Sequence, residues 1–256
     1  MLGQAVTTLR GTSEAQEPEF QSLLPVTYSG SMVVAAVYLI SGSTARTVVT
    51  EPKLHPLILT GDRSVAVVTL FDFRASSIGP YRELSIGVLA SLERMSLRSV
   101  LSALIGSPPA GAWVLALPVS NPVACRGGIE LFGYPKSLER IDVHVVNGVC
   151  SYHVGNHGQE LVSCDLPMRL GLRIPVRQLV TYSSLNGRLI ETRIPVSWFP
   201  TLSSGRGVRM RLGMPNHSLT QTIGRLELSH EPIFLLHGGG FEATLDAGRL
   251  GPSVSP

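Results

Sequence analysis

From Ile141 onward the chain is a procession of short β-prone segments, each cut off by residues that turn. Ile141–Val146, Val149–Val154, Glu160–Leu166, Leu170–Ile174, Gln178–Ser183, Leu189–Val196, Gly207–Met214, Gly224–Leu228 and Ile233–Leu236 read as successive strands. Asn147-Gly148, Gly155-Asn-His-Gly158 and Asn186-Gly187 punctuate them, and such pairs accept the positive-φ backbone of tight hairpins. A long antiparallel meander must cover its edges, and curving or closing the sheet does so. The expected class is therefore α+β: a largely antiparallel, curved or closed β-sheet, barrel- or cone-like, with a few helices.

The first half of the chain supplies the helices. Residues 1–25 have a Glu/Gln/Ser bias and read as a polar N-terminal arm ahead of a single domain over residues 26–250. Met32–Ile40 is a continuous apolar run rich in valine and alanine, the pattern of a buried strand. Ser43–Val49 reads as a short helix capped by Ser43 and ended before Pro52. Ser64–Phe73, Tyr81–Ala90 and Trp113–Val119 read as strands, with Ser76–Pro80 as a loop. Leu92, Met95, Val100, Leu101 and Leu104 fall on one helical face, which predicts a helix stopped at Gly106-Ser-Pro-Pro109. Asn121-Pro122 is a stronger helix start, a capping side chain followed by proline in the first turn. That helix should run to about Phe132 and end at Gly133 and Pro135. Lys136 then stands just past a helix end or at the start of the next strand.

Lys136 is one of only two lysines; the remaining basic residues are arginines. Its neighbours include Phe132, Tyr134, Pro135 and Leu138. Apolar surroundings penalise the charged form of an amine, lower its pKa and release the nucleophilic neutral form. A neutral amine is what imine formation with a ketone or aldehyde requires. The plain alternative is a surface lysine after a proline turn. Lys53, in Glu51-Pro-Lys-Leu-His-Pro56, has turn-like polar flanks and reads as exposed.

Composition excludes several other classes. Apolar residues make up 44% and charged residues 15%, a globular balance without a disorder signature. The net charge is +3 with arginines scattered, so no basic stripe points to a nucleic-acid partner. The longest apolar run, Met32–Ile40, is about half of what a membrane helix needs, and no membrane partner is expected. Three cysteines without a CxxC pair argue against a disulfide framework, and no leader pattern is visible, so a soluble, cytoplasmic protein is expected. His153, His157 and Cys164 straddle a hairpin; structural or exposed roles account for them better than zinc, and no metal is expected. His237-Gly-Gly-Gly240 has the look of an esterase oxyanion loop, but no G-x-S-x-G elbow accompanies it, so a glycine-rich turn closing the last strand is expected. Neither phosphate-binding glycine motif is present. Glu83, Glu130 and Glu242 are the carboxylates set among apolar or glycine-rich neighbours, and each can equally serve as a partner for arginine.

Two stretches together carry a resemblance. Gly128-Ile-Glu130 followed by Gly133-Tyr-Pro-Lys136 resembles the helix and lysine loop of the acetoacetate decarboxylase family, with Asn121-Pro122 matching the start of that helix. Ile78-Gly-Pro-Tyr-Arg-Glu83 is similar to the family's loop and strand carrying a glutamate two residues after a tyrosine. Thr50-Glu-Pro-Lys-Leu54 resembles an early family turn, and the likeness runs from about residue 27 to 245. The resemblance implies a Schiff-base lyase with Lys136 as nucleophile and Glu83 as general acid/base. It further implies Tyr81, Tyr134 and Phe132 as substrate-holding residues, with Glu130, Pro135 and Ser137 as structural neighbours of the site. No cofactor is implied, because the lysine imine is itself the electron sink. The implied partners are a small oxo acid and further copies of the chain in a homo-oligomer.

The departures shape the expected reaction. The family's decarboxylases place a second lysine directly after the first, where this chain has Ser137. A second glutamate expected one strand earlier falls on Val68, and an arginine expected near the first strand has no counterpart around Ser29–Ser31. The Leu92–Leu104 helix is an insertion relative to shorter members. Loss of those polar groups weakens decarboxylation more than imine formation, which needs only the lysine and one proton-transfer group. The expected activity is therefore an aldolase–dehydratase type condensation of a 2-oxo acid such as pyruvate with an aldehyde. Decarboxylation of acetoacetate or another 3-oxo acid through the same imine is the first alternative, and a binding homologue without turnover is the second.

Overall fold

Residues 23–95, 110–247 and 249–250 are described by the computed structural model. Counting strands of three residues or more, the chain begins with β1 (Val26–Ser41), α1 (Gly42–Val48), β2 (Arg63–Phe73), β3 (Tyr81–Ser91) and β4 (Gly111–Val119). It continues through α2 (Pro122–Phe132), β5 (Lys136–Leu138), β6 (Arg140–Val146), β7 (Val149–Asn156) and β8 (Gln159–Pro167). The last part holds β9 (Val176–Leu185), β10 (Arg188–Trp198), β11 (Thr201–Ser204), β12 (Arg209–Leu212), α3 (Ser218–Arg225) and β13 (Phe234–Leu245). Strands β13, β1, β2, β3, β4, β9 and β10 are hydrogen-bonded in that order, and β10 pairs back onto β13. The result is a closed barrel, as expected, which removes the sheet edges. It is mixed rather than wholly antiparallel: β4 and β9 run parallel and meet only at Ala112–Thr181 and Trp113–Tyr182.

A second sheet, β12-β8-β7-β6, packs with α3 over one side of the barrel. Strand alternation divides the side chains between two cores. Ala66, Val68 and Leu70 of β2 join Val34, Ala36 and Tyr38 of β1 and Leu84, Ile86 and Val88 of β3 under that cover, against Tyr152, Leu161 and Leu219. The intervening residues face the barrel interior, where Phe73, Tyr81, Trp198 and Phe241 cluster at one end and Val37, Val65 and Leu57 at the other. Strand β1 is thus buried on both faces, which explains why Met32–Ile40 is continuously apolar rather than alternating. Each such fully buried side chain contributes about 1.5–3 kcal/mol.

Several local expectations need correction. The cap of α1 is Ser41, not Ser43: its Oγ accepts from Thr44 N at 2.9 Å. Leu92 and Met95 are not helical, and residues 96–109, the rest of that expected helix, lie outside the described residues, as does most of the expected arm. Gly224–Leu228 is not a strand. Leu219, Thr220 and Ile223 are the buried face of α3, whose first turn is capped by His217. Leu170–Ile174 pairs only at Leu172–Arg173, and Gly207–Met214 only over β12. Strand β11 was not anticipated; its polar Thr-Leu-Ser-Ser sequence pairs with β13. The His237–Gly240 glycines are not a closing turn. They lie inside β13, where one extra residue between Gly238 and Phe241 makes a bulge against β1.

His237 is buried where β13 meets β11. Its Nε2 donates to the Arg169 carbonyl at 3.1 Å and lies 3.0 Å from Ser203 Oγ. Burial holds its pKa below the ordinary histidine value, opposed in part by the Arg169 carbonyl. The unfolded chain therefore binds a proton at His237 before the folded chain does, and stability present above about pH 6.5 is lost as pH falls through that value. Melting temperatures measured between pH 7.5 and 5 should fall with acidity, and His237→Gln, which keeps a donor at the same reach, should flatten that fall.

Candidate active site

The helix that delivers Lys136 is fixed at both ends. Asn121 Oδ1 accepts from Val123 N at 2.8 Å and Ala124 N at 3.0 Å, and Pro122 occupies the first turn. At the other end Gly133 adopts φ 61°, and a Cβ there would sit 2.3 Å from the Ser184 carbonyl. Only glycine combines that backbone with that approach. Beyond it β5 runs parallel to β4, with Lys136 beside Leu117. This short strand takes over as partner of β4 where the β4–β9 ladder ends, so the lysine enters the barrel beside a seam paired at only two positions.

Inside, Tyr81, Glu83 and Ser85 of β3 point into the same space. Lys136 Nζ donates to Glu83 Oε2 at 2.7 Å, with side chains only 7% and 12% exposed. The amine also lies 5.9 Å from the centre of the Tyr134 ring. A cavity of about 90 Å³ opens over the pair, with walls contributed by all seven barrel strands. Phe71, Phe73, Phe241, Leu179, Ile194 and Leu245 make its walls apolar, and among the described residues Lys136 and Glu83 are the only charged ones that line it. A buried pair with no other charge beside it is strongly coupled, because each member is the other's main compensation.

Hydroxyls supply the rest of the polarity. Tyr28 and Tyr81 meet oxygen to oxygen at 3.0 Å, and Tyr134 meets Thr181 Oγ1 at 2.6 Å. Burial pushes the phenols of Tyr28, Tyr81 and Tyr134 up, and the Glu83 carboxylate adds to the rise in each. All three stay protonated as neutral hydroxyls. The site therefore offers one amine, one carboxyl and neutral donors in a pocket with largely apolar walls, the equipment for carbonyl addition and proton transfer.

Lys136, Glu83, Tyr81 and Tyr134, all singled out from sequence, converge here. Phe132 sits behind them: it stacks on Tyr134 at 5.5 Å and borders a small annex beside the lysine stem. The Pro135 carbonyl accepts from Leu117 N at 3.0 Å and so ties β5 to the barrel. Glu130 lies on the exposed side of α2 and does not join the group, and Glu242 is exposed on β13. Ser137 follows Lys136 in a strand, so its side chain turns to the opposite face. Val68 belongs to the outer core, and the β2 residue opposite Glu83 is Phe71. His153 and Cys164 are on adjacent strands with opposite facing, His153 meeting Glu160 at 3.0 Å and Cys164 buried, so they do not converge.

Tyr28, Thr181 and the Phe71–Phe73–Phe241 wall were not foreseen. The period-two spacing of Phe71 and Phe73, and of Tyr81 and Glu83, was the available signal for one shared face.

Comparison with known proteins follows the same lines. The sequence profile of the family described as acetoacetate decarboxylase matches residues 10–231. No curated protein matches. Acetoacetate decarboxylase from Legionella pneumophila superposes with a TM-score of 0.68 at 14% identity, covering 97% of this chain and 98% of that one. The enduracididine biosynthesis enzyme MppR complexed with pyruvate gives 0.62 at 17% identity, covering 94% and 93%. MppR complexed with the condensation product of pyruvate and imidazole 4-carboxaldehyde gives 0.61 at 16%, covering 96% and 98%. At these identities the likeness is one of fold.

Gly128 gives a sharp test of the site. A Cβ there would lie 2.3 Å from Lys136 Cε and 2.5 Å from Cδ. The obstructed atoms are the flexible end of a side chain, so Gly128→Ala should move the amine rather than unfold the helix, where alanine is itself favoured. We expect an unchanged or slightly raised melting temperature with Lys136 reactivity toward carbonyl reagents down at least tenfold. A variant that reacts like wild type would show that the stem does not need this approach.

Proposed function

The chain belongs to the acetoacetate decarboxylase family, and from that premise we propose that Lys136 forms an imine with a small oxo acid while Glu83 moves the protons. The observation that carries this reading is the 2.7 Å Lys136–Glu83 contact at the floor of an apolar pocket. An amine must be deprotonated to attack a carbonyl, and Glu83 is the acceptor already bonded to it. The carboxyl then returns that proton to the carbinolamine oxygen, which leaves as water and gives the iminium. With its proton spent, Glu83 is again a carboxylate and can take a proton from the carbon next to the iminium, producing an enamine. The enamine carbon adds to an aldehyde, and the protonated Glu83 gives its proton to the new alkoxide. Loss of that hydroxyl as water leaves a conjugated iminium. Hydrolysis of the iminium by a water molecule frees the product and returns Lys136 as the amine, closing an aldolase–dehydratase cycle. MppR, of the same fold, binds pyruvate and such a condensation product.

A second reading has its own observation, the charge count. A 3-oxo acid brings one carboxylate to a pocket in which, among the described residues, Lys136 and Glu83 are the only charged lining groups. Once Glu83 has taken up one proton from solvent, iminium and substrate carboxylate cancel. Loss of CO2 leaves a neutral enamine, and protonation of its carbon by Glu83 restores a balanced iminium–carboxylate pair. Desolvation by the phenyl walls favours release of that carboxylate.

Borohydride trapping separates these readings from inert binding. Incubation with pyruvate or acetoacetate, followed by reduction and peptide mapping, should place the adduct on the peptide containing Lys136, and Lys136→Ala should give none. Glu83→Gln should slow trapping by about 10²-fold or more, the usual contribution of a positioned acid–base group. Release of CO2 and acetone from acetoacetate marks decarboxylation; consumption of pyruvate only when an aldehyde is present marks condensation. Absence of an adduct with either acid, together with turnover that survives Lys136→Ala, would rule the imine out.

A further inference from the structure

Beyond the lysine and glutamate, the pocket holds a pair of phenols with unspent hydrogen-bonding capacity. Tyr28 and Tyr81 approach to 3.0 Å, and either can be the donor. One hydrogen is consumed between them, and the accepting hydroxyl still carries its own. Among the described residues neither oxygen has another hydrogen-bond partner, although the two residues are only 8% and 6% exposed. A buried donor in that state is rare in folded proteins and calls for a ligand or an ordered solvent molecule. Both side chains border the main cavity and the annex beside the Lys136 stem, so the spare hydrogen belongs to the lysine pocket.

The phenols are held rigidly. The Tyr28 ring packs 4.3 Å from Phe73, and Phe73 packs 4.8 Å from Tyr81. Tyr134, by contrast, already shares its hydroxyl with Thr181 at 2.6 Å. Burial and the nearby Glu83 carboxylate keep Tyr28 and Tyr81 neutral. A fixed neutral donor stabilises an oxygen on which negative charge develops during reaction, and does so without attracting a fully charged group beforehand.

We propose that the Tyr28–Tyr81 hydroxyl pair is the donor site for the oxygen of a second, uncharged carbonyl partner, a small aldehyde. The assignment rests on the imine reading and adds to it the chemistry of the acceptor. When the enamine carbon bonds to the aldehyde carbon, the π pair of that C=O moves onto oxygen. The phenol pair hydrogen-bonds the developing alkoxide. The proton that Glu83 took from the donor's carbon ends on the new hydroxyl, leaving an iminium opposite the Glu83 carboxylate. The donor's own carboxylate is unchanged in this step, so the net charge is the same before and after. A second acid in place of the aldehyde has no cation to meet among the described residues, because Lys136 is committed to the iminium and no described arginine or histidine lines the cavity. The space also limits the partner: about 90 Å³ is less than the roughly 150 Å³ that accommodates benzene, which favours a short aliphatic aldehyde.

The test uses Tyr28→Phe and Tyr81→Phe, which keep ring packing, with two readouts. One is borohydride trapping of pyruvate at Lys136; the other is condensation of pyruvate with propanal. At least one variant should lose about 10²–10³-fold in condensation, the effect of removing one donor to a developing oxyanion, and in that variant trapping should fall at least tenfold less than condensation does. Wild type should also prefer propanal over glyoxylate by tenfold or more in kcat/KM. Condensation within threefold of wild type in both variants overturns the assignment, as does parallel loss of trapping and condensation, which would signal a packing role. Equal or better use of glyoxylate overturns the uncharged acceptor. A wild-type adduct without condensation of any aldehyde removes the acceptor site but leaves the imine standing. No adduct at all removes both.

Discussion

The contact between Lys136 and Glu83 is the constraint around which the barrel end is arranged. Two opposite charges in an apolar cavity are expensive to desolvate, and removing one partner of such a pair costs about 3–5 kcal/mol. Most proteins avoid the arrangement or make it structural. Here it faces a cavity of about 90 Å³ with aromatic walls on several sides. The stability it forgoes must come from elsewhere, and the two cores on either face of β1–β3 supply it. A site of this kind needs a scaffold that does not depend on it, and a closed barrel is one.

The lysine is positioned by backbone rather than by side-chain contacts. The Asn121 cap, the Gly133 turn and the β5–β4 pairing determine where Cα of residue 136 sits. Gly128 then leaves the trough in which the four-carbon stem lies. These features are encoded locally, which is why α2 and the position of Lys136 were readable from the sixteen residues Asn121–Lys136. Glu83 was singled out by its resemblance to the family's glutamate two residues after a tyrosine, and its place in a strand puts it on the same face as Tyr81.

What could not be read depends on distant register. Phe71, not Val68, faces Glu83, because pairing of β2 with β3 sets Phe71 opposite Glu83. A gap-free count along the sequence lands three residues away and on the wrong face. Tyr28 was missed because its partner is 53 positions away and a register shift follows it on β1. The strand expected at Gly224–Leu228 failed for a different reason. Leucines two apart at 226 and 228 fit a short strand, but Gly224 and Arg225 close the helix that buries Leu219 and Ile223, and Leu226 caps its end. Closure of the barrel was legible as a class from the meander, but its single parallel seam was not. That seam is set by which strands meet after α2 intervenes, a contact of 69 residues' separation between Ala112 and Thr181.

The same geometry reorders the chemical clues. A residue adjacent to the lysine in sequence looks as though it should tune it most, and Ser137 in place of a second lysine invites that conclusion. In a strand, adjacent residues face opposite sides, so the group at 137 acts only weakly on the amine. The residues that do set its surroundings arrive from β1, β2, β3 and β13: Tyr28, Phe71, Glu83 and Phe241. On the proposed imine reading, phenyl walls at such positions leave the lysine and its carboxylate in place and change what can be held beside them. Among the described residues one amine and one carboxylate supply all the charge that lines this pocket, so each further anion placed there adds to a desolvation cost that no second cation offsets.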